Sequence, residues 1–160
     1  MVKGADNKWV LFVIMFGVIS VFLYAIESNL TSSSCPHPPE LFFGNKKISV
    51  ILATTTVDRD RGLSGVSTLP ENVGMLFVFE KPATRNFWMK DMLFPLDIIW
   101  LDQEMYVIGV VEGATPESYP HPFASPPGMA YTLEVLRGQA RVLNIATGTA
   151  ARLVDCDSQP

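Results

Sequence analysis

Between Arg61 and Val110 the chain sets aromatic, methionine and aliphatic residues at strand spacing, interrupted only by isolated charges. A two-residue period puts alternate side chains on opposite faces of an extended backbone, so this block is predicted to fold as short strands. Gly74–Glu80 reads as a buried strand and Asn86–Lys90 as a short one. Pro95–Leu101 reads as another, entered through a proline, whose missing N–H is tolerated at a strand start. Met105–Glu112 pairs with it as a hairpin across Asp102, Gln103 and Glu104.

The flanks continue the pattern. Lys47–Thr54, Tyr131–Arg137 and Ala151–Val154 are predicted strands. Val57–Leu63 is predicted to make one or two helical turns, ended by Gly62 or Gly65, and Gly138–Ile145 a short helix. Thr115–Met129 carries Pro116, Pro120, Pro122, Pro126 and Pro127, and is expected to be a long, exposed, irregular loop. Many short strands with little helix predict a mostly-β (α+β) domain, a compact barrel or sandwich with one or two short helices.

A chain of 160 residues is about one such domain. Trp9 to Ile26 runs without a charge, at the short end of the roughly 17–25 residues that span a bilayer. Lys3 and Lys8 precede it and Glu27 closes it, an asymmetry that keeps the N-terminus in the cytoplasm. The exit Tyr24-Ala25-Ile26 lacks the small residues of a cleavage site, so residues 1–26 are expected to be an uncleaved signal anchor. Residues 27–40 read as a Ser- and Pro-rich linker, 41–156 as the folded domain, and 157–160 as a tail. The domain is thus expected on the extracytoplasmic side of the cytoplasmic membrane.

Cys35 precedes the domain and Cys156 closes it. Outside the cytosol, such a pair is a candidate disulfide; two free thiols in the tails is the alternative. The net charge of −4, and the absence of any basic cluster interleaved with aromatics, give no electrostatic reason to bind nucleic acid.

Several short pieces recur in a specific order: Arg61-Gly62-Leu63, Leu69-Pro70, Gly74 through Phe79, Phe87-Trp88-Met89-Lys90, Pro95-Leu96-Asp97-Ile98, and Leu133-Glu134-Val135 with Gly138 after it. Together they closely resemble the DUF192 (UPF0127) family over roughly residues 49–154. The resemblance implies a compact β-rich domain, often carried on a signal peptide or anchor. It implies no enzyme class. Val66 stands where the family often has a basic residue, and Asp91-Met92 where it often has Asn and a small polar residue. If that basic position helps to bind an anion, part of the site is missing here.

The candidate site residues are Arg61, Trp88, Lys90, Asp97 and Glu134. Alternation puts Asp97 beside Ile99 and Leu101, and Glu134 beside Thr132 and Leu136. A carboxylate among apolar neighbours either serves as acid or base, or is pinned by backbone N–H groups or an arginine. The second reading is favoured for both, because no nucleophile or cofactor motif accompanies them. Trp88 and Lys90 share a face of the short strand and are candidates for the wall of a pocket for a sugar or an acidic ligand; the favoured reading makes Trp88 core and Lys90 a rim residue.

Metal and cofactor chemistry find little support. Met75, Met89, Met92 and Met129, with His37 and His121, are donors of the kind Cu(I) takes, but no M-x-x-M or H-x-H spacing gathers them. Cys35, His37 and His121 do not make zinc spacing. No phosphate-binding loop, dinucleotide fingerprint or nucleophile elbow is present. The sequence therefore points to a membrane-anchored, non-catalytic binding module without metal or cofactor, for a cell-envelope saccharide, peptide or partner protein. The alternative is a hydrolase or transferase with Asp97 and Glu134 as acid and base, assisted by Lys90.

Overall fold

The protein is described by a computed structural model covering residues 37–155. The proposed anchor, Cys35 and Cys156 lie outside these residues. Among the described residues are β1 (Glu40–Phe43), β2 (Lys46–Ala53), α1 (Thr56–Arg61), β3 (Val73–Val78), β4 (Asn86–Phe87), β5 (Leu96–Leu101), β6 (Val107–Ala114), β7 (Phe123–Ala124), β8 (Tyr131–Leu136), α2 (Gln139–Val142) and β9 (Ala151–Val154). The expected mostly-β, α+β class is borne out.

Seven strands form one sheet in the order β6-β5-β8-β3-β2-β1-β9, and β4 pairs with β7 in a separate ribbon. Neighbours in the sheet are antiparallel except β2 and β3, which run parallel across a crossover that contains α1. The outermost strands curl towards each other. Tyr106 bridges Ala150, and Val107 N–H donates to the Thr149 carbonyl at 2.9 Å. The sheet is therefore a half-barrel drawn together at one end.

Curling gives the sheet two buried faces. Leu76, Ile99, Leu101, Leu133 and Val135 fill the inner one against α2. Ile98, Trp100, Phe87, Met89 and Met129 form a second cluster on the outer one. Every residue of β5 is consequently buried, which explains why PLDIIWL reads as a nearly continuous apolar run.

Three local expectations need correction. β1 was not foreseen; Gly44, at φ 60°, turns it back onto β2 through a two-residue hairpin. β4 ends at Phe87 rather than Lys90, because Asp91 takes a left-handed backbone (φ 55°) and Met92 N–H bonds back to the Met89 carbonyl. The Pro-rich loop is neither wholly irregular nor wholly exposed. Phe123 and Ala124 keep free N–H groups between prolines and form β7, while Ser125 and Met129 are buried. Ser125 N–H donates to the Arg85 carbonyl, and its Oγ accepts from Arg85 N–H at 3.0 Å. The loop thus fixes the segment that carries Arg85.

Candidate functional site

Register decides which carboxyl faces what. Ile98 of β5 lies opposite Glu134 of β8, and Asp97 lies opposite Val135. Directly opposed residues share a face. Glu134 therefore stands on the outer face, and Asp97 on the inner one with Ile99 and Leu101.

Asp97 is fully buried and completely engaged. One carboxylate oxygen accepts from Gly113 N–H at 2.8 Å; the other accepts from Gly138 N–H at 2.7 Å and Ala140 N–H at 3.0 Å. It ties the end of β6 and the start of α2 to the central strand. Its role is that of a pinned structural carboxylate.

Glu134 has the opposite character. It is 7% exposed, and no hydrogen bond reaches its carboxyl among the described residues. Its cross-strand neighbours are Ile98 and Met75. Burial without a partner disfavours the charged form and pushes its pKa up to about 8. At neutral pH it is a carboxylic acid, able to donate. Asp97 and Glu134 thus cannot act as one acid/base pair, since the sheet lies between them.

Glu134 lines a cleft of about 380 Å³. One wall is α1 with the turn that follows it, bringing Arg59 and Arg61. The other is the β3–β4 loop and β4, bringing Arg85, Phe87 and Trp88. α1 is held at its N-terminus by Thr55, whose Oγ1 accepts from Asp58 N–H at 3.1 Å. It ends at Gly62, which takes φ 51°; a Cβ there would meet the Phe77 ring at 3.3 Å. The Gly62 backbone therefore favours glycine, a Cβ would press on the Phe77 ring, and the residue itself lines the cleft.

The arginines differ in freedom. Arg59 Nη1 donates to the Val78 carbonyl at 2.9 Å and to the Thr54 carbonyl, so it is fixed. Arg85 Nη2 donates to the Lys81 carbonyl at 3.0 Å, but its Nη1 is buried without a partner. Both guanidinium groups lie over the Phe79 ring, that of Arg59 at 5.3 Å from its centroid and that of Arg85 at 4.0 Å. Burial first, then the nearby Arg59 charge, lower the Arg85 pKa below its ordinary value. Arg61 has no side-chain partner among the described residues. An anion entering the cleft would relieve this crowding of positive charge.

Of the sequence candidates, Arg61, Trp88 and Glu134 line the cleft, while Asp97 and Lys90 do not. Lys90 is exposed, and its backbone carbonyl accepts from Ser64 Oγ at 2.9 Å, tying the two walls together. Trp88 is 55% exposed rather than core; the buried aromatic of that segment is Phe87, which meets Phe77 and Phe79 edge to face. Arg59, Arg85 and Phe79 were missed. The one local signal was Arg59 two residues before Arg61; Arg85 reaches the cleft only through the tertiary fold.

Fold and cleft together define a small curled-sheet domain carrying an arginine-lined, aromatic-walled pocket over a buried carboxyl. The chain belongs to the DUF192 family (Uncharacterized ACR, COG1430), whose profile matches residues 41–153. It is similar to a protein of unknown function from Novosphingobium aromaticivorans DSM 12444, at 26% identity and a TM-score of 0.65, over 72% of this chain and 83% of that one. It is also similar to a putative transcription regulator from Sinorhizobium meliloti 1021, at 26% identity and a TM-score of 0.66, over 71% of this chain and 90% of that one. No curated protein sequence matches the chain.

Proposed function

We propose that the domain is a non-catalytic binding module whose cleft takes an anionic saccharide of the cell envelope. The observation that carries this reading is that Arg59 and Arg85 both stack on Phe79 in one cleft, with Arg61 unpartnered in its lining and Trp88 exposed there. Guanidinium groups suit carboxylates and phosphates, and an exposed indole offers a flat apolar face to a sugar ring. A peptide or partner protein is a weaker fit, because the charged groups converge on a pocket rather than spread over a flat surface. The relative labelled a putative transcription regulator raises a nucleic-acid role, but the net charge of −4 argues against one here.

The uncharged run Trp9–Ile26, after Lys3 and Lys8, supports a single-pass anchor that holds the domain outside the cytoplasmic membrane. Among the described residues no helix is long and apolar enough to cross a membrane, and the run itself lies outside them.

The test uses the full-length chain in non-ionic detergent at pH 6.5, titrated calorimetrically with trigalacturonic acid and with its neutral trimethyl ester. The acid should bind and the ester should not. R85A and W88A should each weaken binding about tenfold or more, while W88A leaves the melting temperature unchanged. Equal binding of acid and ester would remove the anionic part of the reading; binding of neither would remove the saccharide.

A further inference from the structure

Two polar groups of the cleft lack a hydrogen-bond partner: Arg85 Nη1, buried in the wall, and the carboxyl of Glu134, a residue 7% exposed that opens onto the cleft. A folded protein leaves few such groups, and each raises the question of what satisfies it. One is a guanidinium N–H, which donates only. The other is a carboxyl that no cation among the described residues reaches at ion-pairing distance.

Resting on the anionic-ligand reading, we infer that Glu134 is a proton-dependent gate for that ligand: as a carboxylic acid it donates to an anionic oxygen held also by Arg85 Nη1, and as a carboxylate it expels it.

The surroundings decide the sign. The charged groups facing the cleft are Arg59, Asp60 and Arg61 from α1 and its end, and Arg85 from the β3–β4 loop. The strands beside Glu134 contribute Ile98 and Met75, and the β4 segment Asn86, Phe87 and Trp88, none of them charged. The arginines draw the anion in. None of them reaches Glu134 at ion-pairing distance, and burial raises its pKa to about 8. Below that value the floor offers a donor. Above it, floor and ligand carry like charges within one low-dielectric site, and one must leave. By linkage, binding above the transition takes up one proton, so affinity falls by at most about tenfold per pH unit. A carboxylate ligand stays ionised throughout this range.

Calorimetric titration of the full-length chain with trigalacturonic acid from pH 6 to 10 tests this. Wild-type affinity should hold up to about pH 8 and drop at least tenfold by pH 10. E134Q, which keeps a donor and never ionises, should bind with an affinity that does not change between pH 6 and pH 10. At pH 9, wild-type binding should take up close to one proton when measured in buffers of different ionisation enthalpy. Wild-type binding that does not change with pH would overturn the gate and leave the binding module standing. An E134Q profile that falls in parallel with wild type would assign the titration to another group and also overturn it. No binding at any pH would overturn the anionic-saccharide reading, and the gate with it.

Discussion

Glu134→Gln is isosteric, and it turns the burial of one carboxyl into a measurable stability difference. In the unfolded chain Glu134 ionises near its ordinary value of 4.5; in the folded domain desolvation moves that to about 8. Between these values the folded state binds a proton that the unfolded state has lost. Stability from this group is fully present below about pH 4.5 and declines as pH rises, until the folded carboxyl ionises near pH 8. At ~1.4 kcal/mol per pH unit the interval bounds the loss at about 5 kcal/mol. Water entering the open cleft and rearrangement of Arg61 and Arg85 reduce it to roughly 2–4 kcal/mol. Glutamine does not titrate, and no hydrogen bond is lost, because none was made. Urea unfolding followed by tryptophan fluorescence at several pH values from 4.5 to 9 gives the comparison. The two proteins should unfold at similar urea concentrations at pH 4.5. By pH 9 E134Q should be the more stable, with midpoints separated by about 1–2 M. Titration of every other group cancels in the difference. A gap that stays constant with pH, or wild type gaining on E134Q as pH rises, would show that the carboxyl is ionised and partnered when folded.

Two further expectations rest on other parts of the chain. Asp97→Ala leaves the N–H groups of Gly113, Gly138 and Ala140 without their acceptor and should destabilise the domain by roughly 2–4 kcal/mol, measurable by thermal melts. The full-length protein should remain in the membrane pellet after alkaline extraction and begin at its own first residues when sequenced; release by alkali, or a mature chain starting beyond Ile26, would refute the anchor.

The contrast between these two carboxyls marks how far the sequence could be read. Period-two alternation in PLDIIWL and YTLEVLR correctly separated the residues of each strand into two faces. The hydrophobic pattern also carried the strand-rich class, because short apolar runs bounded by Gly and Pro have few other ways to bury themselves. β1 and β7 escaped notice for local reasons: one is entered straight from the linker, the other is only two residues long and hemmed by prolines. What alternation within a strand does not state is which face of β5 meets which face of β8. That depends on register across a long chain separation, and a slip of one residue would have put Asp97 and Glu134 side by side. The observed register pairs Glu134 with Ile98 and Asp97 with Val135. The consequence is chemical as well as structural. On the inner face a carboxylate finds backbone N–H groups at the start of α2 and becomes a brace. On the outer face the same functional group finds only methionine and isoleucine across the strands and keeps its proton. Arginines arriving from α1 and from the loop before β4 line the same cleft as this neutral acid and do not pair with it. Three arginines set against the one carboxylate of Asp60 leave the cleft a surplus of positive charge, and under the proposed reading that surplus is what an anionic ligand would neutralise.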